Sequence, residues 1–523
     1  MTGENHMNDY RKLQNGSDIR GIAITGVPGE LPNLTPDEAA DIGRGFVVWL
    51  CDKINKAPGN IKIAVGRDPR VSGKRLMEGL MNGMGPYGIT AYDCGLASTP
   101  AMFMSTVFPE FACDAAVMIT ASHLPYNRNG FKFFTAEGGL DKADIADILR
   151  YAGDEKACVE KLGEPDGSDG RVRNFGKLVY PAEERDLMSL YCAHLRKLIT
   201  DGADDGEKPL RGMKIVVDAG NGSGGFYAKK VLKPLGADVS DSQYLEPDGM
   251  FSNHAPNPED PDAINSLMTR VVSKGADFGL IFDTDVDRSA AVDGRGHEIA
   301  RNGIVAMAAA LIADEHPGTT VVTDSITSRQ LTDFLQEGLG MKHLRYKRGY
   351  RNVINKAREL NQQGIDCQLA IETSGHAAFK GNYFLDDGAY LATKIVVEAA
   401  RLRKQGKSLD SLIADLSSPA DEKEVRIPIT AADFGAYGDK VIEDLKSFVA
   451  GPGKEMGLSL EEPNYEGVRI NFPGGWCLLR KSLHDPILPV NMASDEPGGC
   501  GQIGKVMKGF LASYDGLDIS VMG

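Results

Sequence analysis

One local order of elements recurs three times along the chain. Ile61-Lys-Ile-Ala-Val65 reads as a short apolar strand, followed by the polar turn GRDPRVSG, a helical stretch and a second strand near Gly88–Tyr92. Met213-Lys-Ile-Val-Val217 leads into DAGNGSGG, a helix around Phe226–Leu235 and a strand at Ala237-Asp-Val239. Thr319-Thr-Val-Val322 leads into TDSITSRQ, a helix and a strand near His343–Tyr346. Strand, turn, helix, strand is the α/β crossover, because parallel neighbours need a connection long enough to return to the same end of a sheet. Solenoid units recur every ~20–50 residues, whereas these copies lie more than about 100 apart, so they predict repeated domains.

A chain of 523 residues exceeds what one core can fill, and its length alone suggests roughly three or four domains. The helical segment 180–200 precedes the polar run DGADDGEK, and a long helix over 387–406 runs into SLIADLSSPADEKE, a linker. Beyond it, EVRIPI and GVRINF read as strands among helical stretches, an α+β pattern. We therefore expect an α/β protein of three similar α/β domains, 1–185, 186–303 and 304–420, and a C-terminal α+β domain, 421–523. The 61 glycines fit an architecture with many tight strand-to-helix turns.

The net charge of −15 argues against a general binder of nucleic acid or membrane surface, so an anionic ligand must find a local cluster of basic side chains. The eight cysteines form no Cys-x-x-Cys pair and read as reduced, mostly buried thiols. The N-terminal MTGENHMNDYRKL lacks the features of a signal or transit peptide. No apolar run approaches the ~18 residues of a membrane span. A cytoplasmic protein, monomeric or homodimeric, is the expectation.

Four loops carry the chemistry. DTDVDR, Asp283–Arg288, follows the apolar strand Phe278–Phe282. Alternate residues of an extended segment share a side, so Asp283, Asp285 and Asp287 can converge on a hard cation, and Mg²⁺ suits few protein ligands plus a phosphate oxygen. An EF-hand fails, because Arg288 stands where its glycine belongs and Gly294 where its glutamate belongs. An aspartyl nucleophile and a solvated acidic turn stay open. TASHLPYNRNGFKFF, Thr120–Phe134, puts Ser122, His123 and Lys132 beyond a second apolar strand. ETSGH, Glu372–His376, offers groups suited to sugar hydroxyls, and RKSLHDP, Arg480–Pro486, offers cations that can grip phosphate. A satisfied turn and a charged surface loop are their plain alternatives. DAGNGSGG contains G-x-G-x-x-G at Gly220, Gly222 and Gly225, which we read as a close strand-to-helix turn rather than a nicotinamide site.

Taken together and in order, these loops resemble those of the α-D-phosphohexomutase superfamily, the phosphoglucomutase/phosphomannomutase family. TASHLPYNRNGFKFF is similar to its phosphoserine loop, DTDVDR to its metal loop, ETSGH to its sugar loop and RKSLHDP to its phosphate loop; Ser17-Asp-Ile-Arg-Gly21 and VGRDPRVSG resemble earlier family motifs. The resemblance implies four domains around a central cleft and interconversion of hexose 1- and 6-phosphates (glucose, mannose or both) through a bound 1,6-bisphosphate. The enzymatic alternative is a phosphoglucosamine mutase. A non-catalytic sugar-phosphate-binding protein is the alternative of another class. By the same resemblance Ser122 carries the phosphoryl group and joins Asp283, Asp285 and Asp287 around Mg²⁺. Arg288 is a further cation, and His123, Lys132 and Arg20 serve proton transfer, Lys132 only if its pKa is lowered. Arg480, Ser482, His484 and Lys347 hold the distal phosphate, and Glu372, Ser374 and His376 the sugar. The chain departs from the family pattern at Leu124, where asparagine is usual, at Thr284 and Val286, where glycines are common, and at Leu483 and His484.

Overall fold

Each of the three repeats builds a sheet with parallel strands at its heart. In the first, Lys62–Arg67 lies between Thr90–Leu96 and Ala115–Ile119, parallel to both. In the second, Ile215–Asp218 runs parallel to Phe278–Phe282. In the third, Thr320–Thr323 lies between Lys342–Arg345 and Cys367–Ile371, again parallel. The computed structural model describes residues 9–163, 182–482 and 485–523. They gather into two compact units, Met1–Ile304 with Ser374–Leu412 and Val305–Thr373 with Ile413–Gly523.

The first two sheets share a feature that places the site. A wholly buried apolar strand, Ala115–Ile119 or Phe278–Phe282, ends in a loop and returns as an antiparallel partner, Arg128–Thr135 or Ser289–Asp293. Strands covered on both faces read as unbroken apolar runs, and polar chemistry can then begin only where the run stops. The first sheet is covered by the helices Pro36–Ile54, Gly73–Met84 and Lys142–Ala152, which bury Phe46, Leu80 and Ile148 against Val65, Val117 and Phe133. Thr35 starts the first helix through a reciprocal capping box with Glu38.

Glycine proves to serve helix contacts as well as turns. A Cβ on Gly83 would lie 1.9 Å from the carbonyl oxygen of Ala40, and one on Gly45 2.5 Å from that of Ile148. These helices approach backbone to backbone.

The second repeat departs from expectation after its glycine turn. Tyr227–Leu232 winds as a π-helix and Lys233–Leu235 as a 3₁₀ turn; Pro234 has no amide hydrogen to continue an α register. Ala237-Asp-Val239 forms no strand beyond an isolated bridge between Asp238 and Lys214. The Asp238 carboxylate accepts from the Ser240 amide and hydroxyl and turns the chain away.

In the second unit the C-terminal sheet is wholly antiparallel, in the order Asp421–Pro428, Ile487–Ser494, Gly475–Leu479, Val468–Phe472, Ser459–Leu460. Its core takes Val441 and Leu445 from the helix Phe434–Ala450 and Ile503 and Met507 from Gly499–Leu511. The linker read over residues 411–424 begins in a 3₁₀ turn, Leu409–Ile413, and its last four residues open the strand Asp421–Pro428, while the long helix expected over 387–406 runs over Gly388–Lys404. The helix expected over 180–200 runs over Leu187–Ala203, and residues 180 and 181 lie outside the described ones. All eight cysteines are free, seven of them buried. Among the described residues no helix is long and apolar enough to cross a membrane.

Candidate active site

Ser122 stands at the end of the strand Ala115–Ile119 in the left-handed backbone region, at φ 50°. Thr120 Oγ1 holds it there by accepting the Ser122 amide hydrogen at 3.0 Å and donating to buried Asp68 at 2.7 Å. The Ser122 hydroxyl donates to Asp283 Oδ2 at 3.2 Å and accepts from Arg288 Nη2 at 3.2 Å. The structure therefore brings together the hydroxyl loop and the tri-aspartate loop, which lie more than 150 residues apart in sequence.

Asp283, Asp285 and Asp287 are buried, and oxygens from the three lie within 4.8 Å of one another. Lys132 Nζ bridges two of them, at 3.0 Å from Asp285 Oδ2 and in close contact with Asp287 Oδ2. Arg288 donates to Asp283 from Nε at 3.2 Å and from its amide at 3.3 Å. Thr99 donates its hydroxyl to the Asp285 carboxylate and its amide to the Asp285 carbonyl at 2.8 Å. Two buried oxygens, Asp285 Oδ1 and Asp287 Oδ1, accept nothing from the described residues. A buried acceptor without a donor is costly, and three acids crowded in a dry place repel one another. Burial, and then repulsion by Asp287 and Asp285, push the Asp283 carboxyl far above the ordinary range. A hard dication would relieve both costs, so the donor set fits a metal of the Mg²⁺ type.

The tri-aspartate loop turns through Val286 at φ 68°. It is seated on the glycine turn of the second repeat: Ser223 donates its amide to the Thr284 carbonyl at 2.8 Å, and a Cβ on Gly222 would lie 2.8 Å from Thr284 Cα. The G-x-G-x-x-G glycines lie in the strand-to-helix turn read from sequence, and Gly222 in addition permits the close approach of the Thr284 backbone. On the other side Gly388 donates its amide to the Val286 carbonyl at 3.1 Å, and a Cβ there would lie 2.5 Å from Arg288 C.

His123 Nδ1 accepts from Arg288 Nη2 at 2.8 Å and lies 3.4 Å from the Ser122 hydroxyl. Loss of surrounding water, then Arg288 and Arg20, push this imidazole down to about 3, which makes it neutral near pH 7. Lys132 differs from the condition set for a base. Burial works to lower its pKa, but Asp285 and Asp287 outweigh burial and raise it well above the ordinary amine value. It is held as an ammonium ion. Arg20 contacts the Thr120 carbonyl and Asp18, the latter at 2.8 Å, so its guanidinium braces the loop from behind.

The sugar-type loop is divided between the units. Ser374 and His376 belong to the first. His376 pairs with Asp386 at 2.7 Å; burial opposes its charge, but Asp386 and Asp287 raise it to about 9. Glu372 belongs to the second unit, where it accepts the Gly349 amide hydrogen at 2.6 Å, and neighbouring Thr373 donates to Asp324 at 2.9 Å. Lys347 in that unit is exposed. Arg480 is buried, with its Nε bonded to no described acceptor, and burial together with nearby Arg348 lowers its pKa. Ser482 Oγ accepts the Asp485 amide hydrogen at 3.2 Å. His484 and Leu483 lie outside the described residues. Sequence reasoning missed Thr99, Asp386 and Asp68. Only Asp68 had a signal, its place in VGRDPRVSG.

A serine hydroxyl aimed at a buried triad of acids that could hold a hard metal, on α/β loops, is the arrangement of a class of proteins suited to phosphoryl chemistry. Comparison with known proteins gives the family. The description "Phosphoglucomutase/phosphomannomutase, alpha/beta/alpha domain I" matches residues 11–156, that of domain II matches 190–296, and that of domain III matches 301–419. The chain belongs to the phosphoglucomutase/phosphomannomutase family. It is 29% identical over 508 residues to a phosphoglucomutase of Neisseria gonorrhoeae, covering 96% of this chain and 97% of that one. It is 29% identical over 501 residues to a phosphomannomutase/phosphoglucomutase of Pseudomonas aeruginosa, covering 95% and 96%. Its fold is similar to the crystal structure of a phosphoglucomutase/phosphomannomutase family protein from Burkholderia thailandensis, with a TM-score of 0.73, 24% identity and coverage of 96% and 98%.

Proposed function

We propose that the chain is a phosphohexomutase that interconverts hexose 1-phosphate and hexose 6-phosphate, of glucose, mannose or both. The observation that carries this is the Ser122 hydroxyl at 3.2 Å from both Asp283 and Arg288, above two buried carboxylate oxygens that lack a donor. Ser122 holds the phosphoryl group in the resting enzyme and adds a charge of about −1.5 to −2. A free hydroxyl of the bound hexose phosphate attacks phosphorus, the bond from phosphorus to Ser122 Oγ breaks, and the sugar becomes a 1,6-bisphosphate. The hydroxyl proton passes to a base beside Ser122, for which His123 is the candidate once the phosphoryl charge on Ser122 offsets the burial and the Arg288 and Arg20 charges that hold its basicity down. Arg288 Nη2 faces the oxygen on which charge develops as Ser122 leaves. The bisphosphate then reverses, and Ser122 takes the other phosphoryl group, so the balance is an isomerisation.

Magnesium is the cation we propose for Asp283, Asp285 and Asp287; when bound it neutralises phosphoryl oxygens and makes phosphorus more electrophilic. Lys132 holds Asp285 and Asp287 in place. Glu372, Ser374 and His376 are assigned to sugar hydroxyls, and Arg480, Ser482 and Lys347 to the phosphate that is not reacting. Incubation with glucose 1,6-bisphosphate, followed by intact-mass and peptide analysis, tests the proposal. One phosphate mapping to Ser122 is expected, together with turnover of glucose or mannose 1-phosphate. Both disappear in Ser122→Ala; turnover that persists in that variant assigns the nucleophile elsewhere.

A further inference from the structure

The geometry points to Arg70 as a positioning residue for phosphoryl transfer, one that shapes the Ser122 loop by gathering its main-chain carbonyls onto one guanidinium. The inference rests on the mutase reading for its kinetic consequence and on geometry alone for the shape of the loop.

Arg70 is 1% exposed. A guanidinium has five N–H donors in a fixed planar fork, and here each finds an acceptor. Nε donates to Asp68 Oδ2 at 3.1 Å. Nη1 donates to the carbonyls of Pro125 at 2.7 Å and Arg128 at 3.1 Å. Nη2 donates to the carbonyls of Leu124 at 2.6 Å and Ser122 itself. Three of the five bonds end on the turn between the strands Ala115–Ile119 and Arg128–Thr135, and a fourth on Arg128, where the second strand begins. The guanidinium also lies over the Phe251 ring, 5.0 Å from its centroid. Asp68, which orients Arg70, accepts from Thr120 Oγ1, and Thr120 accepts the Ser122 amide hydrogen. Ser122 is therefore gripped on both sides, its carbonyl by Arg70 and its amide by Thr120, both tied to one buried carboxylate.

Two consequences follow from this arrangement. In a trans peptide the carbonyl and the next N–H point in opposite directions, so drawing the Ser122 carbonyl onto Arg70 turns the His123 amide away from it. That amide donates to no described acceptor, which leaves a main-chain donor next to Ser122 for a phosphoryl oxygen. Leu124, where the family pattern has asparagine, contributes its carbonyl to the grip, and that contact is blind to the side chain. A lysine cannot replace the fork, having three donors on one tetrahedral nitrogen.

The experiment compares wild type, Arg70→Lys and Thr120→Val by steady-state kinetics with glucose 1-phosphate, primed by glucose 1,6-bisphosphate, and by amide hydrogen exchange. Displacement of a reacting group by about 1 Å can cost ~100-fold. We expect kcat of Arg70→Lys to fall about 100-fold and that of the isosteric Thr120→Val about tenfold on the same basis, with KM held within roughly twofold. Exchange should accelerate over residues 121–128 and stay unchanged in the strand Ala115–Ile119. Several outcomes overturn the inference: wild-type kcat in Arg70→Lys, a loss carried by KM, or acceleration spread over the whole sheet. If Arg70→Lys does not fold, Thr120→Val decides, and wild-type kcat there refutes the grip. A wild type inert toward hexose phosphates refutes the mutase reading, while the exchange comparison still decides whether Arg70 shapes the loop.

Discussion

Ser122 and Val286 adopt left-handed backbone angles, φ 50° and 68°, at the two points where the site's reactive atoms converge. Such angles cost about 1–3 kcal/mol each and persist only where the surroundings over-determine them. For Val286 the cost is clear, because a β-branched residue there is an outlier. Burying its side chain returns roughly 1.5–3 kcal/mol. We therefore expect Val286→Gly to change stability by less than about 1.5 kcal/mol in urea unfolding, since relief of strain offsets lost packing. A loss above that range would mean that the conformation is unstrained. Asp285 gives a sharper test. Asp285→Asn should lower turnover by about 10²–10³, the scale of one preorganised electrostatic contact. Mg²⁺ should raise the Tm of wild type through binding linkage and leave that of the variant unmoved. A loss below about fivefold at saturating Mg²⁺ would remove Asp285 from the metal site, being far short of that electrostatic scale. Ser122 and the three acids were legible because each follows an apolar run that ends in turn formers. The raised pKa of Lys132 was not, because it depends on acids 153 and 155 residues away.

Helices meet closely where glycine allows it, and one helix is anchored by a buried acid. Gly83→Ala places a methyl against the Ala40 carbonyl with only 1.9 Å between them. Overpacking of this kind costs about 1–3 kcal/mol, so thermal unfolding should come earlier while KM is unchanged. Asp387 caps the helix Gly388–Lys404 and accepts from Tyr191 at 2.8 Å, Asn382 at 3.1 Å and the Tyr390 amide at 2.8 Å. Burial outweighs these bonds and raises the carboxyl from 3.8 to about 6. The folded state therefore holds a proton that the unfolded state has lost between these values. Stability contributed by Asp387 is whole below pH 3.8, declines as pH rises, and is gone above about 6. The decline amounts to about 3 kcal/mol at ~1.4 kcal/mol per pH unit. Unfolding of wild type and Asp387→Asn, compared from pH 4 to 7, should show this difference closing as pH rises; a gap independent of pH would refute it. Periodicity revealed the long helix over 387–406 and a helical stretch after GRDPRVSG, but not the helix Pro36–Ile54 that carries Ala40. It missed the π-helix at Tyr227–Leu232 and the absent strand at 237–239, where Pro234 and the Asp238 carboxylate act against the local pattern.

In the second unit the α/β part and the C-terminal sheet share one polar lock. Arg345 and Arg469 both bind Glu461, at 2.7 and 2.9 Å, and Arg469 also donates to the carbonyls of Ser325 and Thr327 while stacking on Trp476 at 3.7 Å. Burial, and then its neighbour Arg345, lower Arg469 to about 9. Glu461→Gln leaves two crowded cations without their acid, and breaking a buried pair costs about 3–5 kcal/mol. Denaturant unfolding should show that loss, and less than about 1 kcal/mol would mark the lock as a surface pair. TDSITSRQ, read as the polar turn of a third repeat, is thus also a docking loop for the last sheet, a use that no local pattern announces.

What could be read from residue order alone was whatever is encoded locally: three α/β repeats, an α+β end, and four polar loops at the ends of apolar strands. Hydrophobic period and turn chemistry act over a few residues, so they survive without a structure. Folding alone settled which loops share atoms, which acids lack a donor, and which arginine gathers the carbonyls of the serine loop. Those facts depend on sheet register and on contacts between distant residues, such as Thr99 and Asp285, 186 residues apart. Burial and neighbouring charge then set each group's proton affinity, and neither has a signature in the order of residues.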